Sequence, residues 1–352
     1  MSSPTEFTST ESAPNASAPA PHIVTLGTAG GPRWWMGRDP ARAGISTAVV
    51  VGDRWYLVDV GYGSGRQIGQ AGLDLDRPGG AFITHLHSDH TIDLPSVMIF
   101  GLYELLGERG GTRIPVYGPG DRGMLPPVSP RAITPPRPAA PENPTPGVTG
   151  LMEGIVAAYA TDLNDRIMDS LRPGPLQLFE PRDIALPEDI GYHPNENPTP
   201  TMEPFTIFED DLVKVTAILV AHPPIAPAFA FRFDTAGGSV TISGDTCEHA
   251  NTARLAQGSD LLLHEAIDFD WVEETYEGAP TEGALAARDH HYKSHTSVQG
   301  ACSIADQAGV GRLALHHIVP GHADDSVWAV GNDLLPGRFL VPNDLDVLPL
   351  RP

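Results

Sequence analysis

Cysteine is nearly absent: Cys247 and Cys302 are the only two in 352 residues, far apart and in no CxxC spacing. A disulfide framework is excluded, and a reducing cytoplasm is the compartment that fits. Basic side chains are scarce as well, 22 against 44 acidic ones, which leaves a net charge of -22. No run of Lys and Arg overrides that average, so polyanions should be repelled and nucleic acid is a disfavoured partner. Nor does any apolar run approach the length of a bilayer-crossing helix, which argues against a membrane partner. Residues 1–21 lack both a basic start and an apolar stretch, and read as a disordered tail rather than a signal peptide. What is present suffices for a substantial core, since 41% of the residues are hydrophobic and 19% charged.

Order is expected from His22, with a strand over His22–Gly27 and a tight turn at the glycines Gly30 and Gly31. Two apolar runs, 46–51 and 55–60, joined at Gly52-Asp53-Arg54, read as a hairpin. A short helix around Ser64–Ala71 precedes the strand that ends at Ile83. A longer helix is expected from Asp93 to Leu106, and another strand over Arg113–Pro119. This strand–helix–strand rhythm points to a layered α/β architecture. Prolines then crowd an insertion at about 120–205, which is not expected to join the regular core. Inside it Leu151, Ile155, Tyr159, Leu163, Ile167 and Leu171 recur every four residues, a helix with an apolar stripe that Thr149 can cap and Pro173 stops. That stripe can cover a cleft, meet a second copy in a homodimer, or pack on its own domain. Strands resume at 212–220, 229–233, 239–243 and 260–265. An irregular acidic loop carrying His290, His291 and His295 follows, then a helix from Thr296 or Ser297 to Gly309, and a last strand ending in His316-His317.

The densest chemistry lies at 84–91, Thr-His-Leu-His-Ser-Asp-His-Thr. On an extended chain His85, His87 and Asp89 would share one side and His90 would point elsewhere, an arrangement suited to two ions. Apolar strands also end in His222, Asp245, His264-Glu265 and His317, and ligands at strand ends converge on one edge of an α/β fold. Imidazoles and carboxylates of this kind can hold two zinc ions without a thiolate. Asp245 is the natural bridge between them, so that both ions share one hydroxide. Asp59, acidic within an apolar run, must be paired if buried, and a place behind the metal ligands is preferred.

The order Asp59, His85-x-His87-x-Asp89-His90, His222, Asp245, His317 resembles the metallo-β-lactamase superfamily. Leu26-Gly27-Thr28, Gly244-Asp245-Thr246, His264-Glu265 and His295-Thr296 resemble its ribonuclease Z and arylsulfatase-like branch. The likeness covers roughly residues 22–120 and 205–330, and implies a four-layer αββα sandwich in one domain, 22–352. It implies one zinc on His85, His87 and His222, a second on Asp89, His90 and His317, and Asp245 on both. His87 stands where diiron members carry Glu, so zinc is favoured over iron. The family pattern selects His317 over its neighbour His316, and His22, His193, His249, His290, His291 and His322 are left as non-ligands. Asp89 is implied to take the proton of the attacking water, and His295, helped by Glu265, to protonate the leaving oxygen. The expected activity is hydrolysis of a small-molecule ester: phosphodiester, sulfate ester, lactone or carboxylic ester. A ribonuclease Z-like tRNA 3′-end endonuclease is the alternative, set second because that family's basic, glycine-rich arm has an acidic, proline-rich counterpart here. An inactive metal-binding scaffold is the third reading.

Overall fold

The computed structural model describes residues 20–101, 112–278 and 281–351. Residues 1–19 of the expected tail, and the expected helix beyond Gly101 to Leu106, lie outside them.

Among the described residues, fourteen strands form two sheets of seven. The first runs, in spatial order, β14 (Val347–Pro349), β1 (His22–Gly27), β2 (Ser46–Val51), β3 (Arg54–Val58), β4 (Pro78–Phe82), β5 (Ile114–Pro119) and β6 (Phe179–Ile184). The second runs β13 (Phe339–Leu340), β12 (Arg312–Val319), β11 (Leu261–Ile267), β10 (Gly238–Ile242), β9 (Phe229–Thr235), β8 (Val213–Leu219) and β7 (Phe205–Glu209). Neighbours are antiparallel from β14 to β3 and from β10 to β7, and parallel elsewhere.

Side-chain alternation explains the layers. Ile23, Val49, Tyr56, Val58 and Phe82 turn inward and meet Val215, Ala217, Phe231, Phe233 and Leu263 of the second sheet. The intervening residues Val24, Ala48, Trp55 and Leu57 turn outward onto helices at 64–70, 94–99 and 148–158. On the far side Leu262, Leu313 and Leu315 are covered by helix Val298–Ala308, capped by Ser297 and stopped by Gly309 at φ 62°. The result is the αββα sandwich. Phe82 sits at its centre, stacked on Tyr117 at 5.5 Å and edge-on to Phe208, Phe231 and Phe233. Phe82→Ala is expected to cost about 3–5 kcal/mol of stability, measurable by denaturant unfolding.

Three expectations are corrected. The proline-rich insertion does join the core, since it supplies β6, parallel to β5 at the sheet edge, where Pro181 is tolerated. Its striped helix is two helices, Val148–Ala158 and Ala160–Asp169, broken at Tyr159, with Gly147 and not Thr149 at the start. A four-residue repeat drifts about 40° per step against the 3.6-residue turn, so the stripe winds off one face. Accordingly Val148, Met152, Ile155 and Leu163 are buried against their own sheet, whereas Leu171 is 84% exposed. Lastly, residues 282–294 are a helix rather than an irregular loop. Thr281 accepts from the Ala284 N–H, and alanines carry the first turns.

Candidate metal centre

The stretch at 84–91 is not extended. Strand β4 ends at Phe82, and Ser88–Thr91 form one helical turn, so period-two alternation does not decide where these side chains go. The turn instead carries Asp89 and His90 together to one side, while His85 and His87 stay on the incoming loop.

Among the described residues four groups of possible ligands have donor atoms within 4.8 Å of one another: His85, His87 and His222; Asp89, His90, Asp245 and His317; and two that share members with these, His222, His290 and His295, and Glu265, His295 and His317. Asp245 lies between the first two. Its Oδ1 is 3.3 Å from His90 Nε2 and 3.3 Å from His317 Nε2, and its Oδ2 is 3.7 Å from His222 Nε2 and 3.9 Å from His85 Nε2.

The surroundings fix which nitrogen of each ring faces inward. His222 Nδ1–H donates to the Ser294 carbonyl at 2.8 Å, and His90 Nδ1–H donates to Asp59 at 2.9 Å. Both rings thereby turn a free Nε2 toward the centre. Asp59, at φ 57°, also accepts from the Thr84 backbone and hydroxyl, each at 2.8 Å, so its buried charge is fully hydrogen-bonded behind the ligands.

His317 owes its aim to a bulge. His264 pairs with Leu315 but Ala266 with Ile318, so β12 carries one residue more than β11, and His317 sits at φ 53°. Both His316 and His317 are therefore buried, where simple alternation allowed one. His316 meets the Thr47 hydroxyl at 2.6 Å, and only His317 reaches the centre.

The donor set fits cations. His85 Nε2 and His222 Nε2 approach His87 Nδ1 to 3.0 and 3.2 Å, nitrogens converging on one point. Burial holds His85 and His222 well below, and His87 below, the usual imidazole range, so all three are neutral, the form a metal requires. In the second group burial opposes charge on His90, but Asp245, Asp59 and Asp89 outweigh it and raise its pKa strongly. For Asp89, burial is overcome by His90 and His317, which keep the carboxylate ionised below its usual range. His90 Nε2 and Asp245 Oδ1 are buried with no aligned hydrogen-bond partner, orphans that a cation between them would satisfy.

His295 follows helix 282–294, and its Nδ1 lies 3.0 Å from Glu265 Oε1. Burial disfavours its charge, yet Glu265, Asp245 and Asp89 raise its pKa to about 9. Glu265, itself pushed up by burial, also accepts from the Thr246 N–H at 2.7 Å, which supports the ionised carboxylate. His264 stays outside, turned to the Glu265 carbonyl.

Two parts of the site were not expected. Gly31, placed in a plain turn, donates its N–H to Asp89 Oδ2 at 2.9 Å, and a Cβ at Gly30 would lie 2.3 Å from the His317 ring. Gly30→Ala is expected to push that ring aside and lower metal affinity about tenfold with the fold retained, by calorimetric metal titration. The only sequence signal was a glycine pair directly after a strand. The second is His290, left as a non-ligand, whose ring lies 5.7 Å from His222 and 5.8 Å from His295.

Comparison with known proteins shows the family. A family model described as Metallo-beta-lactamase superfamily matches residues 41–297. A curated Ribonuclease Z of Mycobacterium bovis is 28% identical over 317 residues, 89% of this chain and 94% of that protein. One of Mycobacterium tuberculosis is 27% identical over the same length. Human tRNase Z, short form, superposes with a TM-score of 0.59 at 18% identity, covering 94% of this chain and all of that one. The metallo-beta-lactamase fold protein YhfI from Bacillus subtilis gives 0.56 at 16%, covering 93% and 98%. These relatives overturn the expectation that nucleic acid is a disfavoured partner. That expectation rested on net charge, a whole-surface average, whereas charges more than about 8 Å apart are largely screened in physiological salt. A substrate meets the potential of the cleft, not the average.

Proposed function

Because the chain belongs to the metallo-β-lactamase superfamily, we propose that it is a ribonuclease Z-like, metal-dependent phosphodiesterase that cuts precursor tRNA at its 3′ side. The observation that carries this reading is the buried two-group donor set bridged by Asp245, in a chain similar to ribonuclease Z over 89% of its length. Zinc suits neutral imidazoles with carboxylate oxygens and no thiolate. Bound there, two divalent ions supply Lewis acidity, lowering the pKa of water and neutralising charge on the phosphate.

The chain's own residues do the rest. His85, His87 and His222 would hold one ion, Asp89, His90 and His317 the other, and Asp245 would serve both. Asp89, kept ionised and steered by the Gly31 N–H, accepts the proton of the attacking water. His295, oriented by Glu265 and favoured in its protonated form by the carboxylates around it, gives a proton to the leaving oxygen. Asp59 and the Ser294 carbonyl keep His90 and His222 aimed.

With zinc present, the purified protein is expected to release the 3′ trailer of a precursor tRNA, to stop on addition of chelator, and to bind that RNA more weakly as salt rises. Absence of both cleavage and a low-salt gel shift would sink the reading. Turnover of aryl phosphodiesters alone would then favour a small-diester hydrolase, the reading to which the acidic segment 120–205 points.

A further inference from the structure

A cavity of about 350 Å³ opens directly beside His87. That volume is near the lower end of small-ligand sites, which span roughly 300–1,000 Å³. One bank is the loop after His222, with Pro224, Ile225 and Ala226. The other is the start of the proline-rich segment, with Pro126, Pro144–Pro146 and Leu151 of helix 148–158. No acidic side chain lines it.

The terminal guanidinium nitrogens and the hydroxyl within it are already engaged, while Arg122 Nε is buried without a partner. Arg122 donates from Nη1 to the Pro224 and Ala226 carbonyls at 2.7 and 3.3 Å, and from Nη2 to the Pro194 carbonyl and Asn195 Oδ1 at 2.9 and 2.5 Å. It staples the banks together. The Thr145 hydroxyl donates to Asp121 at 3.1 Å. Proline rings are rigid, so the walls are formed before anything enters and little ordering is lost on binding. Such a cavity offers apolar faces, and a guanidinium whose terminal edge is taken leaves its face for a flat ring to stack on.

We propose that this cavity is a subsite for the nucleobase next to the scissile phosphodiester, held by stacking and shape rather than by reading of base edges. It rests on the phosphodiesterase reading above, because it is continuous with the centre through His87. The proline-rich segment thereby walls a ring-binding site, where the sequence suggested a lid, a contact between copies or packing on its own domain. With the terminal nitrogens of Arg122 committed and its Nε buried out of a ligand's reach, the site separates a ring from no ring, and hardly one base from another.

The test is calorimetric titration of the zinc-loaded protein with uridine monophosphate, adenosine monophosphate and methyl phosphate. Both nucleotides are expected to bind about tenfold more tightly than methyl phosphate, within about threefold of each other, as stacking on one base provides. Leu151→Trp, which fills the cavity, and Ile225→Asp, which makes the opposite bank polar, should each erase that preference. If Leu151→Trp unfolds the protein, Ile225→Asp decides. Equal affinities for all three ligands, or a preference that survives the substitutions, would overturn the subsite. A preference without RNA cleavage would instead overturn the nuclease reading and leave the subsite standing.

Discussion

Asp245→Asn is expected to cost the protein about 10³-fold in hydrolytic rate and at least one of two bound ions. The carboxylate offers one oxygen to each ligand group, with Oδ1 toward His90 and His317 and Oδ2 toward His85 and His222. The amide keeps the volume but removes the charge and one acceptor, so the two groups lose their common bridge. Metal catalysis of this type is worth several kcal/mol of transition-state stabilisation, and about 1.4 kcal/mol is tenfold in rate. Elemental analysis of dialysed protein and turnover of an aryl phosphodiester check both halves. Two ions per chain with undiminished turnover would remove Asp245 from the centre.

His295→Gln is expected to lower kcat by about 10²–10⁴-fold with metal content unchanged, the range typical of a lost general acid. Glutamine can still hydrogen-bond Glu265 but cannot pass on a proton. The deficit should be large for a ribose leaving oxygen and small for nitrophenolate, which departs without a proton. A deficit equal for both leaving groups would make His295 a structural residue. The pH profile has a defined sign. His295 is active while protonated, so activity falls as pH rises through its pKa, about 9 with the centre free of ions. Cations beside it pull that value down, which places the alkaline limb at or below pH 9, and the glutamine variant should lose the limb.

How legible all this was differs by scale. Strand alternation at residues such as Ile23/Val24 and Trp55/Tyr56 carried the layers, because burial on two faces writes itself into the sequence with period two. The grouping of seven candidate ligands came from the order of residues in a familiar pattern, and the structure sets these side chains close together, in two of the four groups of possible donors among the described residues. The route was misread, however. His85, His87, Asp89 and His90 converge through a loop and a helical turn, not through a strand, because five polar residues in six leave little to anchor a sheet. Nothing local marks the bulge that separates His316 from His317, since a bulge depends on the register with β11. Gly31 was invisible for a related reason, as its role is a backbone N–H that meets Asp89 across 58 residues of sequence. The expectation against a nucleic-acid partner erred where a whole-chain charge stood in for a local one.

The two sheets are near mirror images in their strand order, and the ligands are shared between them. His85, His87, Asp89 and His90 leave the first, while His222, Asp245 and His317 leave the second. Neither half can chelate an ion tightly alone. A bound ion is therefore a clasp across the seam, and its affinity is converted into resistance against the halves parting. Such a protein reports its own integrity: a chain whose halves have slipped apart would release its metal and fall silent as a hydrolase before it has unfolded.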